Sequence, residues 1–286
     1  VAGHPDHAQV VNQFGRLADL SAFVRKHPVV GVPAYKPPNS DPAGDMYLMD
    51  FLGMLGIPLV PVHEFPSEAP VVFLPAQAAA DPDLYELVQK ARARGAHLIL
   101  TTNLLLAWPQ GRELAAKIGV DPDFRSAPTH AACGTEAEFA DIILESPIEV
   151  TPRADDVICV SQGRRLLLLR TVNDLSLLNT HTYDQADFDA VGEVLLCPRP
   201  LGLLSLGEPA LTAFRSAFAG GKRPVFSGPA SVTYHPFADT SRGDCVLQNF
   251  NDRAVKVSLT SPQDEVRRTF PIPARDRVWI LSGEAR

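Results

Sequence analysis

Two short polar stretches contain residue types that could bind a substrate or transfer a proton. The first contains Tyr35, Lys36 and Asn39, and the second contains the adjacent pair His63 and Glu64. A histidine beside a carboxylate can perform general acid–base catalysis. Each stretch follows an apolar extended segment, and loops at the carboxyl ends of parallel strands form the usual ligand crevice of α/β proteins. Solvated loop tips explain the same residues, so both interpretations stay open.

A third polar stretch, with the sequence NTHTYD, lies beside a predicted strand. Its candidate residues are His181, Tyr183 and Asp184. They are rich in hydrogen-bond donors and acceptors, which suits a sugar site, an interface or a turn that satisfies its own polar groups. The three stretches together supply our substrate-binding candidates, and we assign none of these residues a catalytic role.

Residues 71–90 have the pattern of a buried strand, a tight turn and a helix, which is where several α/β hydrolases and amidotransferases carry a nucleophile. The turn reads Pro-Ala-Gln-Ala-Ala-Ala over residues 75–80, so it has small residues but no Ser, Cys or Thr. The nearest alternative is Cys133 in the sequence ACG, but a loop-like segment rather than a buried strand precedes it. We therefore predict that Cys133 is not a nucleophile.

No motif in the sequence is typical of a bound phosphate or a catalytic zinc ion. The phosphate-binding patterns GxxxxGK[ST] and GxGxxG and the zinc pattern HExxH are absent. His4 and His7 have a spacing that could hold a metal, but a frayed chain end explains them better. The four cysteines lack metal-type spacing, and we expect unpaired structural residues. We predict no cofactor and no metal site.

The composition is that of a globular protein without a strongly basic face. The 286 residues carry a formal net charge of -7, and the pI is near 5.6. This balance disfavours nucleic acid as a partner, because phosphate binding needs a positive surface. No apolar run approaches the roughly 20 residues of a membrane span, so we predict a soluble protein without a membrane partner, cytoplasmic, periplasmic or secreted. A start at Val1 without a signal-peptide pattern is typical of a processed product or the C-terminal piece of a longer protein.

Apolar spacing predicts alternating strands and helices in the first part of the chain. Residues 29–32, 71–74 and 98–100 should form neighbouring parallel strands, because helical patterns separate them. An α/β fold with a doubly wound parallel sheet follows from this order. The predicted helices cover 8–26, 45–55 and 82–94, and a further extended segment covers 58–62.

From about residue 140 the sequence changes to short extended segments joined by turns. Beyond about residue 224 almost every segment alternates apolar and polar residues, which is typical of strands with one solvated face. We therefore predict an α/β domain over 1–223, of which 1–26 fits a linker helix from a preceding domain. A small all-β sandwich domain is predicted over 224–286.

Apolar residues crowd near two predicted turns. They are Phe51, Leu55 and Ile57 around one helix, and Leu104, Leu105, Leu106 and Trp108 after a strand. Exposed aromatic anchors are the usual energetic centre of an interface, so this patch predicts a homo-oligomer. The alternative, a short helix folded back onto the same sheet, is equally compatible with the sequence.

Residues 71–102 resemble a segment of the class I glutamine amidotransferase-like domains that follow the barrel in certain β-galactosidases. The resemblance rests on an apolar strand over 71–75, a helix opener at Asp81, a helix over 84–94, Gly95, and a strand over 98–102. It implies an amidotransferase-like domain that has lost its nucleophile and serves in trimerisation. The family's catalytic residues lie in a barrel that has no counterpart in this sequence.

Two further stretches extend this resemblance. Residues 30–66 are similar to the first strand, helix and second strand of that domain, and residues 244–281 look like the small β-domain that closes many glycoside hydrolases. Our hypothesis is an accessory, non-catalytic C-terminal region of a carbohydrate-active enzyme. It would act in oligomer assembly and shape a neighbouring sugar site, with a carbohydrate substrate. The alternatives are a self-sufficient hydrolase that uses His63, Glu64 or His181, and a stand-alone carbohydrate-binding module.

Overall fold

The structure, a computed structural model, describes most of the chain in separate ranges. They are residues 21–42, 45–121, 131–135, 138–144, 153–161, 164–179, 206–221, 223–238, 244–260, 267–281 and 284–285, together with 14, 17, 18 and 151. Residues 21–26 are helical. The further helices are α1 (Leu48–Met54), η1, a 3-10 helix (Ala76–Ala80), α2 (Leu84–Ala93), α3 (Thr102–Ala107), α4 (Gly111–Ile118) and α5 (Glu208–Ala219).

The strands fall into one large sheet and two small ones. The large sheet contains β1 (Val32–Tyr35), β2 (Leu59–Val62), β3 (Val71–Leu74), β4 (His97–Thr101), β5 (Ala131–Thr135), β6 (Glu138–Leu144), β7 (Val157–Ser161), β8 (Arg164–Val172) and β9 (Leu175–Leu178). The small sheets contain β10 (Val225–Ser227), β11 (Val232–Pro236), β12 (Cys245–Asn249), β13 (Val255–Thr260), β14 (Arg267–Ile272), β15 (Arg277–Leu281) and β16 (Glu284–Ala285).

The predicted parallel strands are confirmed at the centre of the large sheet. Its order is β2-β1-β3-β4-β9-β8-β7-β5-β6, and every pairing from β2 to β9 is parallel. The first strand begins at Val32 rather than at Val29. Val29 instead forms an antiparallel bridge with Phe237. The segment before Val32 therefore pairs with the C-terminal part of the chain.

The expectation of a wholly parallel sheet is wrong for the half that follows β9. Strands β8 and β9 form an antiparallel hairpin whose turn contains Asn173 and Asp174. Asn173 has a φ of 54°, which asparagine tolerates better than most residues and which tight hairpins require. The short segments that the sequence indicates after residue 140 extend the same sheet with antiparallel strands, so the sheet is mixed.

Helices cover both faces of the parallel half, because its central strands β3, β4 and β9 are apolar at most positions and buried on both faces. Along β3, Val71 and Phe73 face one core, whereas Val72 and Leu74 face the other. The first core contains buried residues of α1 and α5, and the second contains buried residues of α2, α3 and α4. The predicted helices 45–55 and 82–94 therefore pack on the sheet as expected, on opposite faces.

The strands after residue 224 form two antiparallel sheets around a third core. The three-stranded sheet has the order β10-β13-β14, and the four-stranded sheet has the order β11-β12-β15-β16. Both contribute to one buried cluster, for example Val257 and Phe270 from the first and Leu247 and Ile280 from the second. This arrangement agrees with an α/β part followed by a small β part. The division at residue 224 stays a prediction.

The segment before β1 is bound to the β part. Val30 N–H donates to the Pro236 carbonyl at 2.9 Å, and Ala238 N–H donates to the Pro28 carbonyl at 2.9 Å. The ring of Phe23 makes edge contacts with Phe237 and Trp279, at centroid distances of 4.8 and 5.2 Å. The N-terminal segment and the C-terminal sheets therefore form one packed region.

Candidate functional site

The turn after β3 has the position of a nucleophile elbow but the chemistry of a packing element. Pro75 ends the strand, and η1 follows at once. Ala76 and Ala78 are buried, as is the side chain of Gln77, so the interior of this turn is filled. The sequence prediction of a turn without a nucleophile agrees with this geometry.

A buried carboxylate, Asp45, lies against this turn. It accepts hydrogen bonds from Ala76 N–H at 2.8 Å, from the Thr101 hydroxyl at 2.6 Å and from the Asn103 side-chain amide at 2.8 Å. Asp45 is 1% exposed, so water cannot replace these donors. We call these four residues the Asp45 cluster. It ties the loop before α1 to the carboxyl ends of β3 and β4.

Local sequence explains why these donors point at one carboxylate. Thr101 ends β4 with extended backbone and caps α3, since its Oγ1 accepts from Leu104 N–H at 3.1 Å. The same hydroxyl can then donate only outward, towards Asp45. Beside it, the Thr102 hydroxyl donates to Asn179 Oδ1 at 2.8 Å, and Asn179 Nδ2 donates to the Leu167 carbonyl at 2.9 Å. The carboxyl end of the sheet is thus internally hydrogen-bonded.

The candidate Tyr35 has a structural contact. It is buried, and its hydroxyl donates to Asp81 Oδ2 at 2.6 Å. Burial, with the Asp81 carboxylate as a second cause, raises the pKa of Tyr35 well above its ordinary value. Asp81 also accepts from Asp83 N–H at 2.8 Å at the start of α2. Tyr35 therefore fixes the end of β1 to the start of a helix.

The remaining candidates of the first two stretches lie on the surface, at neighbouring strand ends. Tyr35 and Val62 are paired across β1 and β2, so the segments that follow start side by side. Lys36 and Asn39 are exposed. The side chains of His63 and Glu64 are 78% and 90% exposed, with 3.8 Å between Nε2 and Oε1. Both side chains are therefore solvated, as the loop-tip interpretation expects.

The third polar stretch and Cys133 do not belong to this surface. His181, Tyr183 and Asp184 lie outside the described residues. Cys133 lies within β5, paired with β6, and not on a turn between a strand and a helix. That Cys133 is not a nucleophile stays a prediction.

Most of the apolar patch proposed as an interface lies in the core, whereas Phe51 and Leu106 are half-buried. Leu104, Leu105 and Trp108 are at most 5% exposed and pack with α2, α4 and the sheet. Leu55 and Ile57 are buried in the core on the other face. The alternative, a short helix folded back onto the sheet, is correct, since α3 turns back directly after β4. These residues therefore give no support to a homo-oligomer.

A second polar feature lies at the opposite end of the sheet. A cavity of about 250 Å³ opens between the starts of β1 and β2, the end of α5 and the strands β10 and β11. We call it the amino-end cavity. Its polar lining includes Arg215, Arg223 and Asp244. These residues are not among the candidates predicted from the sequence, because two arginines eight positions apart form no recognisable motif.

Arg215 has a full set of acceptors in this wall. Its Nε donates to the Leu55 carbonyl at 2.6 Å, and its terminal nitrogens donate to the Gly228 and Pro229 carbonyls at 2.7 and 3.1 Å. Its guanidinium lies 4.1 Å from the centre of the Phe226 ring. Burial lowers the pKa of Arg215. Arg215 thus joins α5 to the end of α1 and to β10.

Close packing at this junction requires a glycine. Gly56 has a φ of 81°, and a Cβ there would lie 2.6 Å from the Phe226 ring. Within the described part of the chain, no three histidine, cysteine or carboxylate side chains form a group that could hold a metal ion. None of the described helices combines the length and apolarity that crossing a bilayer requires.

Comparison with known proteins identifies the fold more firmly than the activity. The family model described as "Uncharacterized protein SSO3021, second domain" matches residues 25–121. No curated protein matches the sequence. Among solved structures, α-L-fucosidase isoenzyme 2 from Paenibacillus thiaminolyticus has a TM-score of 0.51 and 10% identity, over 93% of this chain and 50% of that one. The chain thus spans half the length of this similar enzyme.

Two β-galactosidases are more distant. The enzyme from Bacillus circulans sp. alkalophilus has 13% identity and a TM-score of 0.42, over 87% of this chain and 40% of that one. The enzyme from Halorubrum lacusprofundi has 13% identity and a TM-score of 0.41, over 90% of this chain and 40% of that one. These structural neighbours are glycoside hydrolases, and the fold is an α/β sheet with small antiparallel sheets.

Proposed function

We propose that this chain is an accessory, non-catalytic region of a carbohydrate-active enzyme of the glycoside hydrolase type. The observation that carries the proposal is the likeness to the fucosidase, which covers 93% of this chain but only half of that protein. A catalytic domain would then occupy the other half of the full enzyme. The amidotransferase-like assignment and the division into domains at residue 224 belong to the same proposal.

The Asp45 cluster supports a role without chemistry. An elbow needs a reactive side chain and free donors to stabilise the charge that develops in the transition state. Here the turn offers Ala76, and its N–H is occupied by Asp45. The elbow therefore has neither a nucleophile nor an unoccupied donor at this position.

The exposed residues beside β1 and β2 are our candidates for shaping a neighbouring sugar site. Lys36, Asn39, His63 and Glu64 project from adjacent strand ends and offer donors and acceptors that suit hydroxyl groups. A surface cluster like this could complete a pocket whose other wall belongs to a catalytic domain. His181, Tyr183 and Asp184 stay candidates for the same surface.

Assembly, if it uses this chain, needs a surface other than the buried patch. Phe14 and Leu17 are 62% and 47% exposed and have the i,i+3 spacing of one helical face. We propose this face as the contact between copies. Sedimentation at micromolar concentration should show an oligomer that Leu17→Asp dissociates, whereas the surface change Lys90→Asp leaves it intact. A monomeric wild-type chain would remove assembly from the proposal.

The test of the main proposal compares the isolated chain with the native polypeptide. The native protein should exceed 31.0 kDa by the mass of a catalytic domain, roughly 250 residues if that domain is a barrel. It should hydrolyse chromogenic α-fucosides or β-galactosides, and the isolated chain should hydrolyse neither. In the native enzyme, His63→Ala should raise KM with little change in kcat, because a residue that only shapes the site contributes uniform binding.

Two outcomes would contradict the proposal. A native protein of 31.0 kDa that hydrolyses glycosides, with loss of kcat in His63→Ala and Glu64→Gln, would establish the self-sufficient hydrolase. An isolated chain that binds oligosaccharides but has a native mass of 31.0 kDa would favour the stand-alone binding module.

A further inference from the structure

We infer that the amino-end cavity is a binding site for a small monocarboxylate with a flat apolar body, held by Arg223. The cavity lies at the amino ends of β1 and β2, whereas the surface proposed for sugars lies at their carboxyl ends. The inference therefore concerns a second site and does not rest on the proposed function.

The walls of the cavity are mostly apolar and partly aromatic. Phe218 closes one side from α5, and Phe226, Tyr234 and Phe237 contribute from the β part. The rings of Phe226 and Tyr234 are nearly parallel, with an interplanar angle of 13° and centroids 6.4 Å apart. Flat apolar walls with few polar groups are typical of small-molecule sites.

Arg223 is the polar group in these walls whose bonding is incomplete. Its Nη1 is buried and has no hydrogen-bond partner among the described residues. Arg215, in the same wall, has carbonyl acceptors for Nε and for both terminal nitrogens. A buried donor without a partner costs free energy, and native structures usually satisfy such groups. Arg223 also lines the cavity, so a small rotation of its side chain would bring this donor to an acceptor bound there.

Charge and shape favour a carboxylate as that acceptor. The planar guanidinium fork matches a carboxylate with two parallel hydrogen bonds. Burial lowers the pKa of Arg223, so the cation is incompletely compensated and an anion would restore the balance. Asp244 also lines the cavity but already takes part in an interaction of its own.

The size of the cavity limits the ligand. A cavity of about 150 Å³ accommodates benzene in an engineered protein. The amino-end cavity, at about 250 Å³, therefore has room for a six-membered ring and one carboxylate. A second anionic group would meet Asp244, so a monocarboxylate fits better than a dicarboxylate.

The test uses benzoate and cyclohexanecarboxylate as probes, with benzamide and benzylamine as neutral and cationic controls of similar shape. Both carboxylates should raise the Tm of the isolated chain in a saturable way, with millimolar Kd because such ligands have few atoms. Benzamide and benzylamine should not. Resonances of Tyr234 and Phe226 in NMR spectra should shift with the same Kd.

Variants of Arg223 separate a binding role from a structural one. Arg223→Gln should weaken benzoate binding about tenfold or more, because it removes the charge-assisted hydrogen bonds. Arg268→Gln, at an exposed arginine of β14, is the matched control and should leave binding unchanged. Without ligand, Arg223→Met should unfold at the same or a higher Tm than the wild type, because it removes an unpaired buried donor.

Three results would overturn the inference. The first is the absence of a saturable Tm shift with either carboxylate. The second is binding of benzylamine in place of benzoate, which would assign the cavity to cations through Asp244. The third is a clear fall in Tm for Arg223→Met combined with unchanged benzoate binding in Arg223→Gln, which would make Arg223 a structural residue.

Discussion

The two ends of the parallel strands differ in how their buried polar groups are hydrogen-bonded. At the carboxyl end, Asp45 collects a backbone N–H, a hydroxyl and a side-chain amide, all within 2.8 Å. At the amino end, Arg223 lines a cavity of about 250 Å³, and its buried Nη1 has no hydrogen-bond partner among the described residues. The carboxyl end is where α/β folds usually bind ligands. In this chain the Asp45 cluster closes the interior of that end, with Gln77 Oε1 as an unpaired exception among the described residues, whereas Arg223 at the other end lines an open cavity.

The turn after β3 shows that this fold can keep its shape without the nucleophile that such a turn often carries. A turn after β3 persists because the strand and α2 need a connection, whatever side chain it carries. Once the turn holds no nucleophile, a buried carboxylate can occupy its amide and stabilise the fold. The carboxylate site that we infer lies instead where the α/β part packs against the β part, beside the starts of β1 and β2.

The largest effect should come from Asp45→Ala. The substitution leaves the Ala76 N–H, the Thr101 hydroxyl and the Asn103 amide without their acceptor, and it should lower the free energy of unfolding by about 3–5 kcal/mol. Urea denaturation measures it. Asp45→Asn, which keeps one acceptor oxygen, should cost less. A loss below about 1 kcal/mol for Asp45→Ala would show that the carboxyl end is not held closed by this carboxylate.

A smaller loss is expected for Arg215→Met at the amino end. The change leaves the carbonyls of Leu55, Gly228 and Pro229 without a donor, but it also removes a cation whose burial is unfavourable. We expect the free energy of unfolding to fall by about 2–4 kcal/mol, because the two contributions partly cancel. Arg268→Met is the exposed control. An unchanged or higher stability would mean that Arg215 resembles Arg223, and the contrast within the amino end would disappear.

Gln77→Met tests the one exception found at the carboxyl end. Gln77 is buried beside the Asp45 cluster, and its Oε1 has no hydrogen-bond partner in the described structure. Replacement by an apolar side chain of similar length should raise the free energy of unfolding by about 1 kcal/mol. Thermal and urea unfolding should agree on the sign. Destabilisation would show that Gln77 makes a contact that the closed cluster needs.

The smallest expected effect is the pH dependence due to His97 at the amino end of β4. Burial lowers the pKa of His97, so the folded state favours the neutral ring, whose Nε2 lies 2.8 Å from the Ser176 hydroxyl. The contribution of His97 to the free energy of unfolding is complete above the ordinary histidine pKa of about 6.5. It is lost as the pH falls below that value, because the unfolded state then binds a proton that the folded state binds less readily.

His97→Gln should therefore lose less stability than the wild type between about pH 7.5 and about pH 5, by about 0.5–1 kcal/mol. Urea denaturation at both pH values gives this difference directly. Parallel behaviour of the two proteins would show that His97 is solvated enough to titrate normally.

Local patterns predicted the strands and helices of the parallel half, because each element there has its own apolar periodicity and its own terminator. Asp81 and Gly95 flank α2 in the sequence prediction and in the structure. The Asx turn at Asp81 and the left-handed backbone at Gly95 depend only on nearby residues. The antiparallel half of the sheet was missed. Which partner a short strand chooses depends on distant residues, and β7 and β8 have no local signal that excludes a separate sheet.

The polar features were harder to foresee for the same reason. Asp45 lies 31, 56 and 58 positions from Ala76, Thr101 and Asn103, so no spacing rule connects it with these donors. Trp108 shows how a core residue can be mistaken for part of an interface. A tryptophan among leucines near Pro109 and Gly111 fits an exposed interface and a short core helix equally well, and only the position of α4 and α2 decides between them.

The pairing of residues 28–30 with β11 has a consequence for synthesis of the chain. Residues 28–30 leave the ribosome about 200 residues before residues 236–238, with which they pair in the folded protein. During translation the parallel strands can assemble first, whereas residues 28–30 can pair only after residues 236–238 have been synthesised. The final steps of folding should therefore join the segment before β1 to strands that are synthesised much later, and truncations after residue 224 should expose Phe23 and Val29 to chaperones.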